Sequence, residues 1–150
     1  MEAWAVIGTV SSVVQLIDFT GELLTKSVQI YRSSDGALHE NSAIQLATDH
    51  LLLLQREVEH RASSTADTAL QSLCKAVTSA AADLLAALEK LKVYGSPGKW
   101  KSIRKGLQSV WDKEEVRRLE HRLATFREEL NLHVVVKIRY ISTKLPGRVH

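Results

Sequence analysis

Residues 3–32 read AWAVIGTVSSVVQLIDFTGELLTKSVQIYR, and their spacing decides the fold. Ile7, Val10, Val14, Ile17, Gly21, Leu24, Val28 and Tyr31 recur in alternating steps of three and four, the period of one helix face packed in a bundle. Val6, Val13 and Leu16 add a second apolar stripe in the first half, and no charge falls between Ala3 and Ile17. After Gly21 the opposite face turns to Glu22, Thr25, Lys26 and Arg32. The stretch falls short of the roughly 20 apolar residues of a spanning helix. It also lacks the basic leader and small-residue cleavage site of a secretory signal. The expectation is a soluble chain with an unusually apolar first helix.

The same spacing continues along the chain. Ile44, Ala47, Leu51, Leu54 and Val58 mark a second helix, with Ser42 and Gln45 as a capping-box pair near its start. Ser63-Ser64-Thr65 breaks the pattern, and Ser64 is the expected cap of a third helix through Ala66, Leu70, Leu73, Val77, Ala80, Leu84, Ala87 and Leu91. Tyr94-Gly95-Ser96-Pro97-Gly98 is a loop, after which Trp100, Ile103, Leu107 and Val110 mark a short helix. Asp112 and Glu115 open the last long helix, whose seam is Val116, Leu119, Leu123, Phe126, Leu130 and Val134. The predicted fold is all-α, an up-and-down bundle of four long helices and one short one over about 3–32, 37–61, 65–92, 97–111 and 113–142. Residues 1–150 form one domain, with its core in 3–142 and a tail or linker in 143–150.

Composition agrees with one ordinary globular domain: 150 residues, 45% hydrophobic and 25% charged. A lone Cys74 excludes an internal disulfide and favours a reducing compartment, where it serves as a small buried hydrophobe. The net charge of +3 is unevenly spread, because residues 92–150 carry fourteen basic and six acidic groups. An anionic partner, lipid or nucleic acid, suits that asymmetry, as does a merely solvated helix face.

No catalytic set is legible. Glu57 and His60 supply one Glu-x-x-His pair, but a carboxylate-bridged metal site needs two such pairs and two further glutamates. His133 stands at an otherwise apolar seam position, where an interhelical hydrogen bond is the expected role. Gly95 to Trp100 lacks the spacing and the preceding strand of a phosphate-binding loop, and no nucleophile elbow surrounds any serine. The expectation is a non-enzyme with no catalytic residue, cofactor or metal.

Two features stand out instead. The first is the apolar helix half holding Ala3, Trp4, Val6, Ile7, Val10, Val13, Val14, Leu16, Ile17 and Phe19, with Gly8, Ser11 and Ser12 along it. A helix apolar on more than one face belongs at a bundle centre. It can also enter a bilayer, where small residues permit close helix association, and the two roles can belong to different states. The second is the cluster Lys99, Trp100, Lys101, Arg104 and Lys105, which suits anionic headgroups, though Trp100 also fits as a core anchor among solvated lysines. With a single aromatic among the cations and no module signature, nucleic acid is not an expected partner.

Five segments in order carry a resemblance: residues 10–19 (VSSVVQLIDF), 31–37 (YRSSDGA) with Glu40 and Asn41, 84–93 (LLAALEKLKV), 99–105 (KWKSIRK) and 126–133 (FREELNLH). Together they resemble the N-terminal HeLo-like, SesA-type helical domain of fungal NACHT/STAND (NLR-like) receptors, over about residues 3–140. The resemblance implies a cytoplasmic effector domain ahead of NACHT and sensor modules. It implies oligomerisation with copies of itself, recruitment to the plasma membrane through the N-terminal helix, and regulated cell death. Asp18 and Glu22 bound that helix here. A homotypic adaptor bundle with no membrane activity is the alternative.

Overall fold

The structure is a computed structural model, and it describes residues 2–32, 41–93 and 108–143. Their helices are α1 (Glu2–Arg32), α2 (Asn41–Ser64), α3 (Thr68–Val93), α4 (Gln108–Trp111) and α5 (Lys113–Thr143). The all-α bundle expected from the spacing is therefore present. Of the short helix expected over 97–111, the described part is α4; residues 97–107, and the turns expected at 33–36 and 94–98, lie outside the described residues.

Cross-contacts fix the direction of each helix. Gly8 of α1 lies under the Arg61 guanidinium near the end of α2, and Phe19 meets the His50 ring at 4.6 Å, so α1 and α2 are antiparallel. Arg122 reaches Asp83 at 2.7 Å and His133 reaches Asp67 at 2.9 Å, which sets α5 antiparallel to α3. Both α1 and α3 pack against every other long helix, leaving α2 and α5 on opposite sides of the α1–α3 pair.

The seam of α1 differs from the expected one. Val13, Leu16, Ile17, Leu23, Leu24, Ile30 and Tyr31 are buried together with Thr9, Ser12, Thr20 and Ser27, whereas Ile7 and Val14 face solvent. Four hydroxyl residues thus occupy core positions that hydropathy assigns to the surface. Three of them are satisfied within their own helix: Thr9 Oγ1 donates to the Ala5 carbonyl at 2.8 Å, Thr20 Oγ1 to Leu16 at 2.6 Å and Ser27 Oγ to Leu23 at 2.6 Å. A small hydroxyl bonded in this way carries no desolvation debt into the core. Ile7 and Val14 are left on the face that those residues do not occupy.

The other seams follow the spacing more closely. Ile44, Leu51 and Val58 of α2, Leu70, Leu73, Val77, Ala80, Leu84 and Ala87 of α3, and Val116, Leu123 and Leu130 of α5 are buried, with Ala47, Leu54, Leu119 and Phe126 half-buried against them. Ala66 is exposed, in the connection before α3. Trp111 is buried and stacks on Tyr31 at 6.3 Å between ring centroids, tying α4 to the end of α1.

One helix cap falls three residues later than expected. Ser63 Oγ and Ser64 Oγ both donate to the His60 carbonyl, at 2.7 and 3.2 Å, so the serines complete the last turn of α2 instead of breaking it. Asp67 caps α3, its Oδ1 accepting from Leu70 N at 3.1 Å. The expected cap at Asp112 is present, its Oδ1 accepting from Glu115 N at 2.8 Å.

Candidate functional site

Because the long helices alternate in direction, the start of α1, the end of α2, the α2–α3 connection and the last turns of α5 share one end of the bundle. Most of the apolar residues singled out in α1 lie toward this end. Trp4 (75% exposed), Ile7 (58%) and Val14 point outward. Val6, Val10 and Phe19 are half-buried against the core, and Val13, Leu16 and Ile17 are within it. The side chain of Ala3 lies outside the described residues.

Steps of three and four put Trp4, Ile7, Ser11, Val14 and Asp18 on one stripe. Asp18 ends the apolar part and pairs with Arg127 of α5. An 18-residue window within Trp4–Arg32 reaches a mean hydropathy of 1.2 with 33% of its residues buried. The helix expected to fall short of a span is therefore long and apolar enough to cross a bilayer, because it runs on past Asp18; core helices of bundles share the property. Central in the packing, α1 still shows an apolar face to solvent.

Across the same end, Asp67 gathers partners from two helices. It is nearly buried, and its Oδ2 accepts from His133 Nε2 at 2.9 Å and from Lys137 Nζ at 3.2 Å. Burial pushes its carboxyl up, but the Leu70 amide, the Lys137 ammonium and the charge of His133 outweigh it and hold the pKa below the ordinary 3.8. The hydrogen bond expected of His133 is therefore made, and its partner is the α3 cap. Ala5 and Val6 line a cleft with Thr65, Asp67 and Lys137, so the first turns of α1 rest beside this cluster.

Cys74 is buried, and its thiol is raised to about 11 by burial and by the nearby Asp67 carboxylate. Such a thiol is a poor nucleophile at neutral pH. Glu57 holds Arg61 at 2.7 Å, which positions the guanidinium over Gly8. Among the described residues no three His, Cys, Asp or Glu side chains converge on a point where a metal ion would sit. Lys99, Trp100, Lys101, Arg104 and Lys105 lie outside the described residues.

A further apolar surface escaped the seam reading. Leu132, Val135, Val136, Ile138 and Tyr140 all face solvent on the second half of α5. The signal was present in the sequence: residues 130–141 hold more apolar side chains than one helical stripe can bury.

Comparison with protein-family models, with curated proteins and with solved structures found no match.

Proposed function

We propose that this chain is a non-enzymatic effector domain of the HeLo-like kind from a fungal NLR-like receptor, acting in the cytoplasm and at the plasma membrane. It oligomerises when NACHT and sensor modules of the same receptor are triggered, brings α1 to anionic lipid and causes regulated cell death. The observation that carries the membrane step is the outward stripe of Trp4, Ile7 and Val14 on a helix uncharged from Ala3 to Ile17. The ordered resemblance of five segments supports the family assignment.

Magnitudes divide the action into two stages. First contact needs no unpacking, because Trp4 and Ile7 are already outside. Full insertion removes Val13, Leu16 and Ile17 from the core, at about 1.5–3 kcal/mol each and so about 5–9 kcal/mol together. That approaches the roughly 5–15 kcal/mol that keeps a domain folded. Insertion therefore requires assembly or a bilayer to offset the loss. The Lys99–Lys105 cluster is proposed as a further docking element for anionic lipid.

Dye release from anionic liposomes by residues 1–150 tests the reading, with Trp4→Glu/Ile7→Glu as the comparison. These positions are exposed, so the variant keeps its fold. Release by the wild type and its loss in the variant support the reading; no release, even after forced oligomerisation, refutes it. The second reading, a homotypic adaptor, draws on the same apolar stripe and predicts self-association without leakage.

A further inference from the structure

We infer that the outward face of the second half of α5 joins the α1 stripe in one surface that docks the folded bundle onto an anionic bilayer, before any helix leaves the core. This rests on the membrane reading above and adds a surface that neither the seam pattern nor the Lys99–Lys105 cluster contains.

The Asp18–Arg127 pair fixes the relative height of the two antiparallel helices. Ile7 lies eleven residues before Asp18, and Ile138 lies eleven after Arg127. At 1.5 Å per residue both stand about 16 Å from the ion pair, on the same side of it. Val14 and Leu132 are level nearer the pair, and Trp4 and Tyr140 are level near the bundle end by the same measure. On α5, Arg127 and Ile138 share the flank turned toward α1, while Val135, Leu132 and Val136 continue the apolar surface around the solvent side. One end of the bundle thus presents exposed apolar side chains from two neighbouring helices. Trp4 and Tyr140 supply the aromatic rings that favour the headgroup region.

Charge selects the occupant. From Leu130 to Thr143 the chain contains no Asp or Glu; Lys137 is held by Asp67, and Arg139 is the exposed Lys or Arg side chain of this stretch. Arg139 is exposed and stands one turn beyond Val135 and Val136, inside the apolar face. Its aliphatic stem can lie along that face while the guanidinium reaches a phosphate. A second copy placed across a two-fold axis sets this cationic face against itself, whereas an anionic headgroup layer complements it.

The test is co-sedimentation of the 150-residue chain with phosphatidylcholine vesicles, with and without phosphatidylserine. Leu132→Glu/Val136→Glu is the variant, Leu46→Glu/Leu53→Glu on α2 the control, and circular dichroism checks the fold of each. The expected result is binding to the phosphatidylserine vesicles that falls about tenfold or more in the α5 variant and stays unchanged in the α2 control. Equal binding by the wild type and the α5 variant overturns the docking face while leaving the role of α1 standing. Equal loss in both variants, or equal binding to the two vesicle types, also overturns it. No binding by the wild type overturns the membrane reading as well. A dimer in solution that the α5 variant dissolves assigns the face to a second copy and overturns the lipid proposal.

Discussion

His133 Nε2 donates to the Asp67 carboxylate at 2.9 Å, and the same carboxylate group caps α3 through Leu70 N. One nearly buried side chain therefore fixes where α3 begins and clasps it to the second half of α5. The first turns of α1 rest beside this clasp.

Replacing Asp67 separates its two roles. Asp67→Ala removes the cap and leaves Lys137 without its counter-charge and His133 without its acceptor, and a loss of about 2–4 kcal/mol in chemical denaturation is expected. Asp67→Asn keeps a competent cap and loses only the charge, so its cost is smaller. Equal costs for the two would show that the cap contributes nothing.

The clasp also sets a pH dependence. Because the Asp67 pKa is lowered on folding, its stabilisation is complete above the ordinary 3.8 and disappears as pH falls through the lower folded value. The stability gap between wild type and Asp67→Asn should be present in full above about pH 4 and should close below it. Paired denaturation curves from pH 7 to pH 3 check this, and a gap that widens toward acid contradicts it.

Gly21 offers the opposite kind of change. A Cβ built there meets nothing within 4 Å, and the residue lies mid-helix in α1. Gly21→Ala should stabilise the bundle by about 0.5–1 kcal/mol, read as a raised melting temperature. At Gly8 the added Cβ meets the Arg61 guanidinium at 2.5 Å, so Gly8→Ala must first displace that side chain and should gain less.

The Asp18–Arg127 pair is exposed on both sides, and it orients α1 against α5 more than it stabilises either. A double-mutant cycle with Asp18→Asn and Arg127→Gln should return a coupling of about 0.2–1 kcal/mol that shrinks with added salt. A larger, salt-independent coupling would make the pair a lock on α1.

How far the sequence reached differs from helix to helix. The seams of α2, α3 and α5 were legible because Ile44, Leu51, Val58, Val77, Leu84, Leu123 and Leu130 are apolar where they are buried. The seam of α1 was legible in part: Ile17, Leu24 and Tyr31 are buried where the spacing puts them, but Thr9, Thr20 and Ser27 hide their hydroxyls in bonds to their own helix. With polar residues inside, Ile7 and Val14 completed an apolar pattern that belongs to the surface. Ser64 and Asp67 are both good cap residues three positions apart, and only the bonds of Ser63 and Ser64 back to His60 decide between them. The outward face of α5 was missed because a seam can be traced through Leu130 and Val134 without asking where Leu132, Val135 and Val136 must then point.

The most direct measurement places an environment-sensitive fluorophore on α1. Ile7→Cys can be labelled selectively, since Cys74 is buried with its pKa raised to about 11. Addition of anionic vesicles should shift the emission at position 7 to the blue and make it quenchable by lipid-borne nitroxides. Emission that stays water-like, in a labelled protein shown to have reached the vesicles, would contradict a membrane role for α1.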